Sequence, residues 1–167
     1  MESLLIRSFG DLDFNQLKLP FMAAATDLVT GDAVYLHEGK VAPAVHASCV
    51  IPGLITPLHL DGHMLGDGSL VNTIPVAPLR EMGAEYVIGV DLFRHKIRRW
   101  MGPLGYGLAS LEITFSRAGC GYCTADCLIS PQLDGKTYLN FWKAPQLISL
   151  GRQAAEALIP TIKSAIA

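Results

Sequence analysis

The sequence predicts an α/β fold of three layers, with a mostly parallel sheet held between helices. Three observations point there. Short apolar runs alternate with segments of helical spacing, the pattern of a layered α/β protein. Tyr86-Val87-Ile88-Gly89-Val90 is a near-continuous apolar run, which fits a strand covered on both faces and hence a parallel sheet. Half of the residues are hydrophobic and only 17% are charged, so a disordered chain is excluded and a large core is expected.

The elements follow in order. Residues 1–20 read as a short helix and then a loop ending at Pro20. Residues 21–26 form a small apolar run between Pro20 and the turn signal Thr30-Gly31-Asp32, and are expected to be a buried strand. Residues 33–37 make a second short strand, closed by the turn Glu38-Gly39-Lys40. Residues 41–49 are alanine-rich with helical spacing, and Pro52-Gly53 stops them. Residues 55–60 and 64–66 flank Asp61-Gly62, the strongest short hairpin signal. Residues 74–82 form a short helix, with Pro75 tolerated in its first turn and Gly83 ending it.

After the strand at 86–90, residues 104–118 are helical, and 127–130 make a last short strand stopped by Pro131. Residues 144–165 read as one long amphipathic helix, kinked at Pro160. The stretch 93–107, where charge, Trp100, glycines and Pro103 crowd together, is expected to be the least ordered. The strands at 21–26 and 86–90 are expected to be neighbours or near-neighbours in one sheet.

Length and charge narrow the function. A chain of 167 residues fits one domain by the usual prior of ~100–200. A net charge of -2 points away from nucleic acid, so any charged partner must meet a local patch. No run reaches the ~18 apolar residues of a membrane span. The first residues lack a basic segment followed by a long apolar one, so no secretory signal is read. Three of the four cysteines cluster at 120, 123 and 127, a poor disulfide framework for a chain this long; reduced thiols and a cytoplasmic location are expected.

Asp67-Gly68-Ser69 follows the hairpin. A glycine after an acid lets the chain bend sharply, so the carboxylate can face a cleft. Its surroundings form an ordered series. Pro20-Phe21, Ala25-Thr26-Asp27-Leu28, Thr30-Gly31, Gly39, Ala47-Ser48 and Ile51-Pro52-Gly53 come first. Pro57, Gly62, Asp67-Gly68, Asn72, Pro75, Gly83 and Val87-Ile88-Gly89-Val90 follow. Cys127-Leu128-Ile129-Ser130-Pro131, residues 144–148, Gly151 and Ala154-Ala155 complete it. This series resembles the patatin-like phospholipase family in its bacterial branch, and the resemblance covers nearly all of the chain.

The resemblance implies a lipid acyl hydrolase working by a Ser-Asp dyad without histidine or cofactor. Asp67 takes the place of the family's aspartate, in a motif whose third residue is glycine or alanine; Ser69 is a departure. Gly68, Ser69 and Asn72 are read as supporting that motif, Asn72 by bracing its loop. The family's nucleophile lies in Gly-x-Ser-x-Gly, a strained strand-to-helix elbow. No such pentapeptide occurs here, and neither Ser48 nor Ser110 is flanked by glycines. The glycine-rich oxyanion loop is missing too. The expectation is therefore the C-terminal part of a single domain, with a sheet incomplete at its N-terminal side and an exposed edge prone to self-association.

The remaining candidates have plainer readings. Asp27 is read as capping local backbone N–H groups, and Ser48 as a packing residue. No second Cys-x-x-Cys accompanies the cysteine cluster, and the turn between His59 and His63 breaks helical zinc spacing, so no metal is assigned. Arg94, Lys96, Arg98, Arg99 and Trp100 form the one basic cluster, a solvated loop or a contact with a membrane surface. The alternative function is a catalytically inactive remnant that binds lipid or protein.

Overall fold

Asp61 and Gly62 both take positive φ, 49° and 84°, the backbone that lets a two-residue turn follow the twist of a hairpin. The computed structural model describes residues 2–92, 102–133 and 143–167. These mix helix and sheet and divide into two units, residues 1–73 and 74–167.

The first unit starts with α1 (Glu2–Phe9) and continues through β1 (Ala23–Asp27), β2 (Ala33–Leu36), α2 (Val41–Ser48), β3 (Leu58–Leu60) and β4 (His63–Asp67). The strands form one sheet in the order β2-β1-β4-β3. Every pairing in it is antiparallel, with Ala25 opposite both Val34 and Asp67. Alternation along β1 sends Ala23 and Ala25 to the face covered by α2, where they pack with Ala44, Ala47, Val41 and the fully buried Leu65.

The second unit contains α3 (Val76–Glu81), β5 (Ile88–Val90), α4 (Gly102–Arg117), α5 (Gly121–Thr124), β6 (Cys127–Ile129), α6 (Ala144–Glu156) and α7 (Ile159–Ala165). β5 and β6 pair in parallel as a two-stranded sheet. Ile74, Val76 and Val87 are its core, with Ala84, Ala125 and Leu128 packed against them. Gly83, at φ 93°, ends α3 as expected. The Arg80 guanidinium then donates to the Ala84 and Glu85 carbonyls and to Asp126, whose Oδ2 also accepts the Val87 N–H at 2.6 Å. That bond from Val87, with Arg80 adding to it, holds the Asp126 carboxyl below its ordinary range.

Four expectations are corrected. The larger sheet is antiparallel, and only β5 and β6 are parallel. Short connections reverse the chain, whereas parallel strands need a long crossover; the α4–α5 segment supplies the one crossover described. The strands near 21–26 and 86–90 do not share a sheet, because β1 pairs with β2 and β4 in one while β5 pairs with β6 in the other. The apolar run at 86–90 is covered on one face only: Val87 is buried, but Ile88 and Val90 are 43% and 52% exposed. Finally, α6 and α7 are two helices. Pro160 lacks an N–H and its ring opposes the carbonyl of Glu156, where α6 ends. Of the stretch expected to be least ordered, residues 102–107 begin α4 and the rest lies outside the described residues.

Gly121 is required by close approach. A Cβ there would stand 1.7 Å from the Ile74 carbonyl oxygen, whereas one at Gly107 on α4 would meet nothing within 4 Å. Gly121→Ala is expected to cost about 1–3 kcal/mol of stability, and Gly107→Ala to be neutral or to gain up to ~1 kcal/mol in the helix. Thermal denaturation of the two variants checks the contrast.

Candidate functional site

β4 ends at Asp67, and the strand end is tied on both sides. The Asp67 N–H donates to the Val50 carbonyl at 2.8 Å, just beyond α2. Its carbonyl accepts the Thr26 hydroxyl of β1 at 2.9 Å. The half-buried Asp67 side chain caps the short 3-10 turn Gly68–Leu70. Oδ1 accepts the Ser69 N–H at 2.8 Å and the Ser69 hydroxyl at 2.7 Å. Oδ2 accepts no hydrogen bond among the described residues. One carboxylate oxygen is thus held by two donors and the other is uncommitted.

Gly68 has a different reason from the one expected. Its φ is not positive. Instead, a Cβ would lie 2.4 Å from the Ala24 carbonyl oxygen and 2.7 Å from its carbon. Glycine lets the turn lie directly against the backbone of β1. Asn72 donates its backbone N–H to the Gly68 carbonyl at 3.0 Å and its side-chain Nδ2 to the Tyr35 hydroxyl at 2.9 Å. The segment 67–72 is therefore connected to β1 and, through Tyr35, to β2.

Two neighbours of this region are not legible in the linear sequence. Cys49 caps the C-terminus of α2, and desolvation, with the Asp67 carboxylate adding to it, holds its thiol above the ordinary range. His63 Nδ1 lies 2.6 Å from Oδ2 of the buried Asp27, whose Oδ1 accepts the Val29 N–H at 2.8 Å. Asp27 does cap local backbone, and it also joins the β1–β2 turn to β4. The first contact depends on how α2 packs on the sheet and the second on strand register, both supplied only by the fold. Ser48 ends α2, half-buried. Ser110 is spent within α4 on the Tyr106 carbonyl. Arg94, Lys96, Arg98, Arg99 and Trp100 lie outside the described residues.

Chemically, the arrangement presents a fixed carboxylate that can accept a proton or a hydrogen bond at Oδ2. No family model matches the chain. It is 39% identical over 83 residues to an uncharacterized NTE family protein of Mycobacterium tuberculosis, covering 50% of this chain and 23% of that one. A second such protein from the same organism is 29% identical over 178 residues, covering 90% of this chain and 30% of that one. Patatin-like phospholipase domain-containing protein 7 of Mus musculus is 38% identical over 87 residues, 50% of this chain and 6% of that one. The chain is similar to proteins named as NTE family and patatin-like phospholipase domain-containing proteins, and it spans less than a third of the length of these relatives.

The Asp27–His63 pair makes a pH prediction. The His63 hydrogen bond, with the Val29 N–H second, holds Asp27 below the ordinary carboxylate range. A depressed acid stabilises the fold above its unfolded value, and that contribution is lost as pH falls through the lower folded value. Asp27→Asn should lower the melting temperature at neutral pH. The gap to wild type should close as pH falls below about 4, as melts across the acid range would show.

Proposed function

We propose that this chain supplies the general base of a Ser-Asp dyad in a patatin-like acyl hydrolase acting on lipid esters, as the C-terminal part of one such domain. The observation that carries this reading is Asp67, with Oδ1 fixed by the Ser69 N–H and hydroxyl and Oδ2 uncommitted. A serine hydroxyl is a weak nucleophile until a base takes its proton. Oδ2 is the atom that would take it, from a serine outside these 167 residues. As the serine oxygen bonds to the ester carbonyl carbon, N–H donors from that same outside segment would stabilise the oxyanion. The proton then passes from Asp67 to the departing alkoxide. Water repeats the sequence on the acyl-enzyme, with Asp67 again as base.

The 167 residues by themselves contain no Gly-x-Ser-x-Gly. That favours, for the isolated chain, the second reading of a non-catalytic binding module. The purified chain should show no ester hydrolysis above background. When it is fused behind a relative's N-terminal segment bearing the serine elbow, hydrolysis of p-nitrophenyl esters should appear. In that fusion Asp67→Asn should lower kcat by ~10²–10⁴ with little change in melting temperature. A drop of less than about tenfold would remove Asp67 from the role of base, since general-base transfer is worth more than that.

The lipid substrate also makes the cluster Arg94, Lys96, Arg98, Arg99 and Trp100 a candidate contact with an anionic membrane surface, consistent with a cytoplasmic protein working at the membrane periphery. No helix among the described residues is long and apolar enough to cross a membrane. Sedimentation with vesicles rich in phosphatidylserine should weaken by about 1 kcal/mol for each basic residue replaced by alanine, and added salt should abolish it.

A further inference from the structure

The cysteine cluster is not used by the dyad. α4 ends at Arg117, Gly119 takes φ 73°, and Cys120 caps the short helix α5. The Cys120 carbonyl accepts three hydrogen bonds: from the Cys123 N–H at 2.9 Å, the Thr124 N–H at 3.2 Å and the Thr124 hydroxyl at 3.2 Å. A turn closed from residue i to i+3 keeps its end Cα atoms within about 7 Å. Disulfides form at Cα separations of about 4.4–6.8 Å. Gly121, seated against the Ile74 backbone, anchors the turn between the two cysteines.

Exposure separates the three thiols. Cys120 and Cys123 are exposed, while Cys127 is buried in β6 beside Tyr86. A structural cysteine packs as a small hydrophobe, which describes Cys127 and neither of the others. Cys-x-x-Cys in the crossover of a parallel strand pair is also an arrangement that suits thiol–disulfide exchange.

We propose that Cys120 and Cys123 form a reversible dithiol–disulfide site whose substrate is a small-molecule disulfide. The thiolate of one cysteine attacks a sulfur of the reagent, breaks its S–S bond and expels one thiolate, which takes up a proton. The second cysteine, giving up its own proton, attacks the protein sulfur of the mixed disulfide and expels the other half of the reagent as a thiol. Two protein thiols lose two electrons, the reagent disulfide gains them, and an external dithiol reverses the sequence. This site is independent of the role proposed for Asp67.

The test exposes the reduced 167-residue chain to excess hydroxyethyl disulfide, blocks residual thiols with iodoacetamide, and weighs the tryptic peptide spanning residues 118–136. In wild type the peptide should lose two hydrogens, carry no reagent adduct, and return to the dithiol form with dithiothreitol. Cys120→Ser and Cys123→Ser should each stop at the mixed disulfide on the remaining exposed thiol. Cys127→Ser should pair as wild type does. Mixed disulfides on both Cys120 and Cys123 in wild type would overturn the proposal. So would pairing that survives in Cys120→Ser or Cys123→Ser, or that requires Cys127.

Discussion

The candidate site depends on one close approach, that of the Gly68 backbone to the backbone of Ala24. β1 allows it because its side chains are small. Ala24 accepts the turn after β4, while Ala23 and Ala25 accept the alanines of α2 on the opposite face. Larger residues on β1 would push either layer away. With the turn seated, Asp67 is positioned through its main chain, by Val50 on one side and Thr26 on the other. Its side chain needs only the two Ser69 donors to settle Oδ1.

The second unit relies on the same device with different partners. Gly121 admits the Ile74 carbonyl, and the Arg80 guanidinium gathers the end of α3 and the start of β6 around Asp126. A fully unpaired carboxylate beside β5 would cost desolvation without return. Here the Val87 N–H and Arg80 both satisfy it, which orders the segment leading into the parallel pair.

Ser69 contributes a side-chain donor as well as a backbone one. Glycine or alanine at that position would leave the Asp67 Oδ1 with the backbone N–H alone. The added hydroxyl fills a second donor position and leaves Oδ2 untouched. Charge-assisted bonds of this kind are short and orient the acceptor. The geometry thus fixes one carboxylate oxygen and leaves the other without a donor among the described residues.

Local torsion and local burial were legible in the sequence. Asp61-Gly62 specified the hairpin, Gly83 the end of α3 and Pro160 an interruption of the last helical segment. Each follows from what one or two residues permit in their own backbone. The choice of strand partners did not follow. The run Tyr86-Val87-Ile88-Gly89-Val90 carries the same hydrophobicity whether one face or two are covered, and Ala23–Asp27 has no mark that names β2 and β4 as neighbours. The contact of His63 with Asp27, the Cys49 thiol near Asp67 and the reason for Gly68 depend on how β1, α2 and β4, far apart in sequence, come together. The sequence by itself determined turns and helix ends, because these are short-range steric properties. Only the tertiary structure decided sheet order and which groups meet at the site, because pairing energy is shared among residues that no local pattern brings together.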